Sequence, residues 1–538
     1  MTAPPAHSVS PRSRAPALVT TAIAPGAARA AAPDPSSPLA RAADAYRAAV
    51  PAGFERHEFP LHALDRLGVP VFYAAAFTPD DVALTGVGYG DTEPLARASA
   101  LGEMVETAST WAAFRGLPRR RGSHARLRAE GVAALDPLKC RLPVGTAYTP
   151  DRDLEWVEAR RWPDGATRWV PVEYAATNVG DTGPGDWLFT PITNGMGAGD
   201  TLERALAHGL LELVQRDGNS LSYRALDQGV ALDLDDVRDP VTRAVLARLD
   251  AEGVEVLPKL ASTAFGVANV YVVGAERDPA RAPHPVMLTA CGEAAHPDRE
   301  RALRKAVLEF CSSRVRKRFA HDRWDAVAPL LPDGYRARVE RNPPGWDEEA
   351  RALAAMRDLM ARGPDAVVEL IRDPVLTARR RVAFSSLPTV PAGALDDPAA
   401  LLADVAGRLT AEGLGVWYVD VSPPREPGAS GSARAVKVLV PELEVEGMSY
   451  HRVGPRGVRL LAARGDGLAG VGEAPPGATR VPMAAEDEAA LGGPAWFHVG
   501  EAERRLGRLY ALYREPGEHV LAFAGGAPAA AARAGGGR

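Results

Sequence analysis

The glycine-rich stretch PITNGMGAGDTLERALAHGLLELVQRD, residues 191–217, is the starting point because its arrangement recurs in the chain. We predict a short extended run ending at Thr193, and then a helix that Asp200 or Thr201 can cap. Between them we predict a loop with three glycines, Gly195, Gly197 and Gly199. A loop that leads into a helix N-terminus favours an anion such as phosphate. Glycine-rich loops before helices are also common where no ligand binds, so the stretch alone does not establish a site.

The same arrangement appears three times. Residues 88–92 read GYGDT, residues 197–201 read GAGDT, and residues 291–298 form a looser copy, CGEAAHPD. Eleven positions after the end of each copy stands a glutamate, which is Glu103, Glu212 or Glu309. Three predicted helices therefore place a carboxylate at the same depth.

Other polar side chains share the helix faces of these glutamates, because positions three or four apart on a helix are neighbours. Three positions later stand Glu106, Gln215 and Ser312, and four positions earlier stand Ser99, His208 and Lys305. Two arginines follow shortly after, Arg216 and Arg314.

Each of the three glutamates lies inside an apolar run, where a carboxylate must be paired or bind a metal. We therefore interpret the three helices as a site for Mg²⁺ and a polyphosphate, since Mg²⁺ takes oxygen ligands and shares them with phosphate. The alternative is that the glutamates are solvated positions on ordinary amphipathic helices. His208 either lines the site or packs in the core.

Three segments resemble the nucleotide-binding segments of the YcaO superfamily. They are GYGDTEPLARASALGEMVE, TNGMGAGDTLERALAHGLLELVQRD and CGEAAHPDRERALRKAVLEFCSSR, and the resemblance covers roughly residues 60–455. Members of this superfamily phosphorylate peptide backbone amides with ATP. The resemblance implies a YcaO-like fold of the α/β (mixed α+β) class, with strand–glycine loop–helix units around a central nucleotide site. It also implies ATP and Mg²⁺ as cofactors.

The resemblance assigns roles to residues that match the family's motifs. Magnesium ligands are expected at Glu103, Glu106, Glu212 and Glu309. Nucleotide contacts are expected at Ser99, Gly195, Gly197, Gly199, His208, Gln215, Arg216 and Arg314. The candidate catalytic groups near the γ-phosphate are Glu309, Lys305 and Arg314. Arginine suits phosphate because its guanidinium stays charged and binds in a bidentate manner.

Four positions depart from the family's pattern. Tyr89 stands where a lysine is common, and Thr107 replaces an arginine. Gln215 replaces a glutamate, and Ser312 replaces a glutamine. These changes remove two basic groups and one acid from the expected site. They leave open a second hypothesis, a non-catalytic YcaO-like scaffold or peptide-binding subunit that works with a partner enzyme.

The resemblance also implies a substrate and partners. The substrate is expected to be a ribosomally made precursor peptide, whose activated amide becomes an azoline, a thioamide or an amidine. A separate leader-binding or activating protein is expected as a partner, unless the enzyme belongs to the stand-alone type. The family also allows a homodimer. Azoline-forming members tend to end in PxPxP, whereas this chain ends in AAAARAGGGR, which weakens the azoline interpretation.

The composition fits a globular protein, with 46% hydrophobic and 24% charged residues. A formal net charge of -5 gives no reason to expect a nucleic-acid partner, and no stretch is apolar enough to predict a membrane span. The three cysteines, Cys140, Cys291 and Cys311, show no metal or disulfide spacing. We therefore predict a reduced, cytoplasmic protein.

The pattern of segments predicts how the chain is divided. Residues 1–40 and 525–538 are expected to be disordered because of their composition. Residues 41–455 are expected to form the YcaO-like ATP-binding domain, with a helical insertion at about 321–372. Residues 456–524 are expected to be an ordered C-terminal extension. Because strand and helix alternate, we predict a core of one mixed sheet flanked by helices.

Overall fold

The computed structural model of the chain describes most residues between 37 and 506. The described ranges are 37–182, 188–189, 191–222, 227–282, 287–322, 324–341, 361, 363–372, 375–423, 433–444 and 452–506. The predicted disordered tail, 525–538, lies outside these ranges, as does nearly all of the predicted extension 1–40.

Helices and strands alternate along the described chain. The helices are α1 (Pro38–Ala48), α2 (Glu93–Ala113), α3 (His124–Ala129), α4 (Val172–Ala175), α5 (Leu202–Ser222), α6 (Pro240–Ala251), α7 (Arg299–His321), α8 (Trp324–Val327), α9 (Asp333–Arg341), α10 (Pro364–Arg372), α11 (Pro398–Ala411), α12 (Pro455–Arg464), α13 (Ala485–Leu491) and α14 (Val499–Leu506). The strands are β1 (Glu55–Pro60), β2 (Val71–Phe77), β3 (Ala83–Tyr89), β4 (Arg119–Ser123), β5 (Asp153–Arg161), β6 (Thr167–Pro171), β7 (Met196–Gly199), β8 (Val230–Asp233), β9 (Val254–Ser262), β10 (Ala268–Glu276), β11 (Thr289–His296), β12 (Arg380–Ala383), β13 (Trp417–Asp420), β14 (Arg434–Leu439), β15 (Ala469–Val471), β16 (Thr479–Arg480) and β17 (Ala495–Phe497).

The described strands form four sheets. One sheet has the order β1-β2-β3, a second β11-β10-β9-β8-β12, and a third β4-β5-β13-β14-β7 with β6 paired to β5. The fourth has the order β15-β17-β16. In the second sheet β12 runs parallel to β8, whereas β8, β9, β10 and β11 pair antiparallel. The predicted α/β class is confirmed, but the prediction of one mixed sheet is wrong.

Three strands of this fold each lead directly into a long helix: β3 into α2, β7 into α5 and β11 into α7. Each of the three strands lies at the edge of a different sheet, so its free side remains available to the helices. Here the predicted glycine loop is wrong, because residues 196–199 are strand β7, paired with β14. The predicted extended run before it, residues 191–193, forms no strand.

Glycine is required in these strands because each lies directly against the backbone of its helix. A Cβ at Gly197 would lie 2.1 Å from the carbonyl oxygen of Ala205, and one at Gly88 would lie 2.0 Å from Ala100 N. No side chain fits at such distances. The repeated glycines of the sequence therefore set a short strand–helix separation.

The described residues after 455, which are 456–506, pack against the rest of the fold. Helix α12 and strands β15 and β17 share a hydrophobic cluster with Tyr271 and Val273 of β10. Arg456, in α12, pairs with the buried Asp217 of α5 at 2.5 Å. The predicted division at residue 455 stays a prediction, as does the helical insertion, whose described part includes α8, α9 and α10. In the part of the chain that the structure describes, no helix combines the length and apolarity needed to cross a membrane.

Candidate functional site

Each of the three long helices turns a glutamate toward the strand that precedes it. In every case one carboxylate oxygen accepts a hydrogen bond from a backbone N–H. The three bonds are Val87 N–H to Glu103 Oε2 (2.8 Å), Gly195 N–H to Glu212 Oε2 (3.0 Å) and Glu293 N–H to Glu309 Oε2 (2.9 Å). These bonds fix one oxygen of each carboxylate and hold the glutamates at equivalent depths.

Each helix also reaches the strand of the next pair, so the three pairs close into a ring. The three cross-contacts are Glu106 Oε1 with Ala198 N–H (2.9 Å), Arg216 Nη1 with Glu293 Oε2 (2.8 Å), and Glu309 with the Tyr89 side chain. The first joins α2 to β7, the second joins α5 to β11, and the third joins α7 to β3. The glutamates of all three helices therefore meet in one place.

The carboxylates in this ring carry more negative charge than the surrounding protein compensates. Burial raises the pKa of Glu106 well above its usual range, and repulsion by Glu103 and Glu212 raises it further. Burial, followed by repulsion from Glu293, raises the pKa of Glu309 to about 7. The side chains of Glu103, Glu106 and Glu309 are nevertheless half-buried rather than enclosed. Protein surrounds them while water still reaches them, which is the arrangement of a deep cleft.

Two exposed cations on α7 lie beside these carboxylates. Arg316 lowers the pKa of Glu103, although burial has the larger, opposite effect. Lys305 also attracts the Glu103 carboxylate. Desolvation by the surrounding protein, followed by repulsion from Lys305, lowers the pKa of His208 to about 4. With this pKa, His208 is neutral at pH 7. Its side chain reaches solvent, so it lines the cleft surface rather than the core. The cleft thus offers both oxygen ligands and positive charge.

Most of the predicted site residues come together here. The cleft gathers Glu103, Glu106, Glu212, Gln215, Arg216, Glu309, Lys305 and His208. Ser99 lies one turn before Glu103 on the same face of α2 and is half-buried. For Gly195, Gly197 and Gly199 the predicted phosphate loop is wrong at residues 196–199, and these glycines form the contact of β7 with α5.

Arg314 is the clear error among the predicted site residues. Its guanidinium is buried and bonds Asp65 at 2.8 Å and Glu276 at 2.8 Å, away from the cleft. Five positions separate it from Glu309, which turns it by about 140° to another face of the helix. The predicted catalytic and phosphate-binding roles of Arg314 are therefore wrong, and its role is to pair two buried carboxylates.

Three further residues of the cleft were not predicted. Asn219 and Arg316 stand seven positions after Glu212 and Glu309, so helical spacing could have identified both. Glu293 lies in β11, within the third copy of the repeat, and was not considered as a site residue. Strand alternation along β11 is the sequence signal that bears on the direction of its side chain.

The residues present fit a complex of Mg²⁺ with a polyphosphate. Buried polar atoms at the cleft lack hydrogen-bond partners, namely Arg216 Nε, Asn219 Oδ1 and Ser312 Oγ. Among the described residues, no three His, Cys, Asp or Glu side chains already form a metal-holding group. Mg²⁺ commonly uses one or two carboxylates and completes its shell with phosphate oxygens and water, so such a group is not required.

The fold and the cleft define a nucleotide-binding protein of the α/β class. Residues 87–444, about two thirds of the chain, match the family model described as YcaO cyclodehydratase, ATP- and Mg²⁺-binding. The chain belongs to this family, and ATP and Mg²⁺ are its cofactors.

Two further proteins and one solved structure are similar to this chain. An uncharacterized protein of Methanothermobacter thermautotrophicus is 28% identical over 403 residues, which are 73% of this chain and 90% of that protein. An uncharacterized protein in the tfuA 3′ region of Rhizobium leguminosarum bv. trifolii is 28% identical over 47% of this chain and 60% of its own length. The structure of a heterocyclase in complex with substrate and cofactor matches with a TM-score of 0.51 and 18% identity, over 74% of this chain and 50% of that one. This chain spans about half the length of that heterocyclase, and the likeness shows the fold alone.

Proposed function

We propose that this protein is an ATP- and Mg²⁺-dependent enzyme that phosphorylates a backbone amide oxygen of a ribosomally made precursor peptide. The observation that carries the proposal is the meeting of glutamates from α2, α5 and α7 beside the exposed cations Lys305 and Arg316. Carboxylates beside cations in one cleft suit a metal-bound polyphosphate. Membership of the YcaO family supports the same chemistry.

The proposed reaction makes a poor leaving group into a good one. The amide oxygen attacks the γ-phosphorus of ATP, the bond from that phosphorus to the bridging oxygen breaks, and ADP departs. A nucleophile then adds at the amide carbon, and the carbon–oxygen bond breaks to release phosphate. A Cys, Ser or Thr side chain yields an azoline, sulfide yields a thioamide, and an amine yields an amidine.

The chain contributes position and charge to this reaction. ATP supplies the phosphoryl group, and Mg²⁺ balances the charge of its phosphates. Glu103, Glu106 and Glu212 would hold the metal, because a backbone N–H fixes one oxygen of each carboxylate. The metal would share the other oxygen of Glu212 with Arg216, which bonds it at 3.4 Å. Lys305 and Arg316 would neutralise charge on the transferring group.

The substrate and partners belong to the proposal. A peptide backbone must lie across the cleft so that one amide oxygen reaches the γ-phosphate, and positioning of this kind supplies much of the catalysis. A separate leader-binding or activating protein would supply that positioning, and a homodimer remains compatible with the fold. These partners are expected from the family resemblance.

The test is a calorimetric titration of the full chain with AMPPCP, a non-hydrolysable ATP analogue, with and without Mg²⁺. We expect binding that depends on Mg²⁺ and that disappears in Glu103→Gln. A folded chain that binds no AMPPCP in either condition would refute the proposal. That result would favour a non-catalytic scaffold, which one observation already suits: the hydroxyl of Thr107 bonds the carbonyl oxygens of Thr85 and Glu103, where the family pattern has an arginine.

A further inference from the structure

We propose that Glu293 is a positioning residue of the nucleotide site and supplies the negative charge that the family pattern places at position 215. Glu293 lies in strand β11, directly before α7, whereas position 215 lies in α5. The inference rests on the proposed function, because it concerns how the same cleft binds Mg²⁺ and ATP.

The contacts of Glu293 are those of a built site. The residue is 8% exposed, and its Oε2 accepts hydrogen bonds from three side chains of α5. The donors are Asn219 Nδ2 (2.6 Å), Arg216 Nη1 (2.8 Å) and Gln215 Nε2 (3.3 Å). A buried carboxylate needs such charge-assisted and neutral bonds to remain ionised.

The side chains at positions 215 and 293 together carry one negative charge. Gln215 is 8% exposed and donates its amide hydrogen to Glu293. A glutamate at position 215 would bring two buried carboxylates to within hydrogen-bonding distance, and like charges at that distance are costly. With glutamine there, the pair forms one donor–acceptor bond. The departure at Gln215 is therefore matched by the carboxylate at Glu293, and the site keeps its charge.

Glu293 also connects two of the three helices. Its side chain binds α5 through Arg216, and its backbone N–H donates to Glu309 Oε2 on α7. Arg216 in turn bonds Glu212 at 3.4 Å, so the guanidinium is held between two carboxylates. Loss of the Glu293 charge would free Arg216 to pair with Glu212 alone and so compete with the metal for that ligand.

Several buried polar atoms beside Glu293 have no hydrogen-bond partner. Arg216 Nε and Asn219 Oδ1 are buried without a hydrogen-bond partner, although both residues are held by Glu293. Ser312 Oγ on α7 is in the same condition. Buried polar groups are nearly always paired, so we expect a bound ligand or a water molecule to satisfy these atoms.

The test moves the charge instead of only removing it. Three full-length variants are compared with the wild type: Glu293→Gln, Gln215→Glu, and the double variant that carries both changes. AMPPCP affinity in the presence of Mg²⁺ is measured by calorimetry, and the thermal midpoint is measured without ligand. Glu255→Gln, an exposed change on β9 of the same sheet, is the matched control and should alter neither quantity.

We expect each single variant to lose about tenfold to a hundredfold in affinity, as for other residues that orient metal ligands. We expect the double variant to recover to within about threefold of the wild type, because its coupled sites again share one charge. Unchanged affinity in Glu293→Gln would overturn the proposal, and so would a double variant as weak as the weaker single variant. A lower thermal midpoint with normal affinity would show a purely structural role and would also overturn it. Failure of the wild type to bind AMPPCP would instead refute the proposed function.

Discussion

Replacing Glu309 with glutamine should make the ligand-free protein more stable while it abolishes nucleotide binding. The pKa of Glu309 is about 7 in the folded chain against an ordinary value of 4.5, a difference of 7 − 4.5, or about 2.5 units. At roughly 1.4 kcal/mol per pKa unit, ionising this carboxylate costs the folded state about 3–4 kcal/mol at most, and its partial solvent exposure reduces the value to about 1–3 kcal/mol. Glutamine keeps an oxygen that accepts the Glu293 N–H and carries no charge.

The sign of the effect depends on pH. Because the folded pKa is raised, the protonated carboxyl stabilises the folded state below the unfolded pKa of 4.5, and this stability is lost as the pH rises toward 7. The gain from Glu309→Gln should therefore be largest at about pH 8 and fall below about 1 kcal/mol at about pH 5.

Urea unfolding of the ligand-free protein at both pH values measures this difference, and calorimetry with AMPPCP and Mg²⁺ measures binding. Glu203→Gln, on the first turn of α5, is the control and should change stability by no more than a few tenths of a kcal/mol. A variant that is less stable at the higher pH, or a stability gain that does not depend on pH, would refute the reasoning. So would Mg²⁺-dependent binding that survives in the folded variant.

Four other substitutions distinguish the residues of the cleft from the residues that support it. Glu103→Gln should abolish Mg²⁺-dependent AMPPCP binding in calorimetry without lowering the thermal midpoint, and unchanged affinity would contradict its role as a ligand. Arg316→Ala should weaken AMPPCP about tenfold at unchanged stability, whereas Arg314→Ala should cost about 3–5 kcal/mol in urea unfolding because it leaves buried carboxylates unpaired. An equal effect of both arginine changes on affinity would contradict the assignment. Gly197→Ala should cost more than the roughly 1–3 kcal/mol typical of overpacking, and a normal thermal midpoint would show that β7 can move away from α5.

Helical periodicity predicted much of the site because its residues share helix faces. Glutamates on three separate helices were predicted to meet. Glu103, Glu212 and Glu309 do lie at equivalent depths. The same reasoning extended by one turn would have found Arg316. It failed for Arg314, whose basic side chain matched a family motif while its position on the helix directed it elsewhere.

The fold was less accessible where strand pairing decides it. The α/β class follows from alternating strand and helix patterns, but sheet membership depends on contacts between distant segments that no local pattern encodes. Glycines were interpreted as loop residues because they favour turns, whereas in β7 their value is the absence of a side chain. The partner of Gln215 could not be recognised, because the contact of β11 with α5 joins distant segments of the chain.

The ion pair of Asp217 with Arg456 has a practical consequence for how this protein is produced. A shortened protein that ends at residue 444, the limit of the family match, would keep every glutamate of the cleft. It would also leave Asp217, which is 2% exposed, with the backbone N–H of Glu444 as a partner but without the Arg456 guanidinium that balances its charge. If such a preparation were inactive, the cause would be the lost ion pair. The result would be misread as evidence that the full-length protein has no catalytic activity.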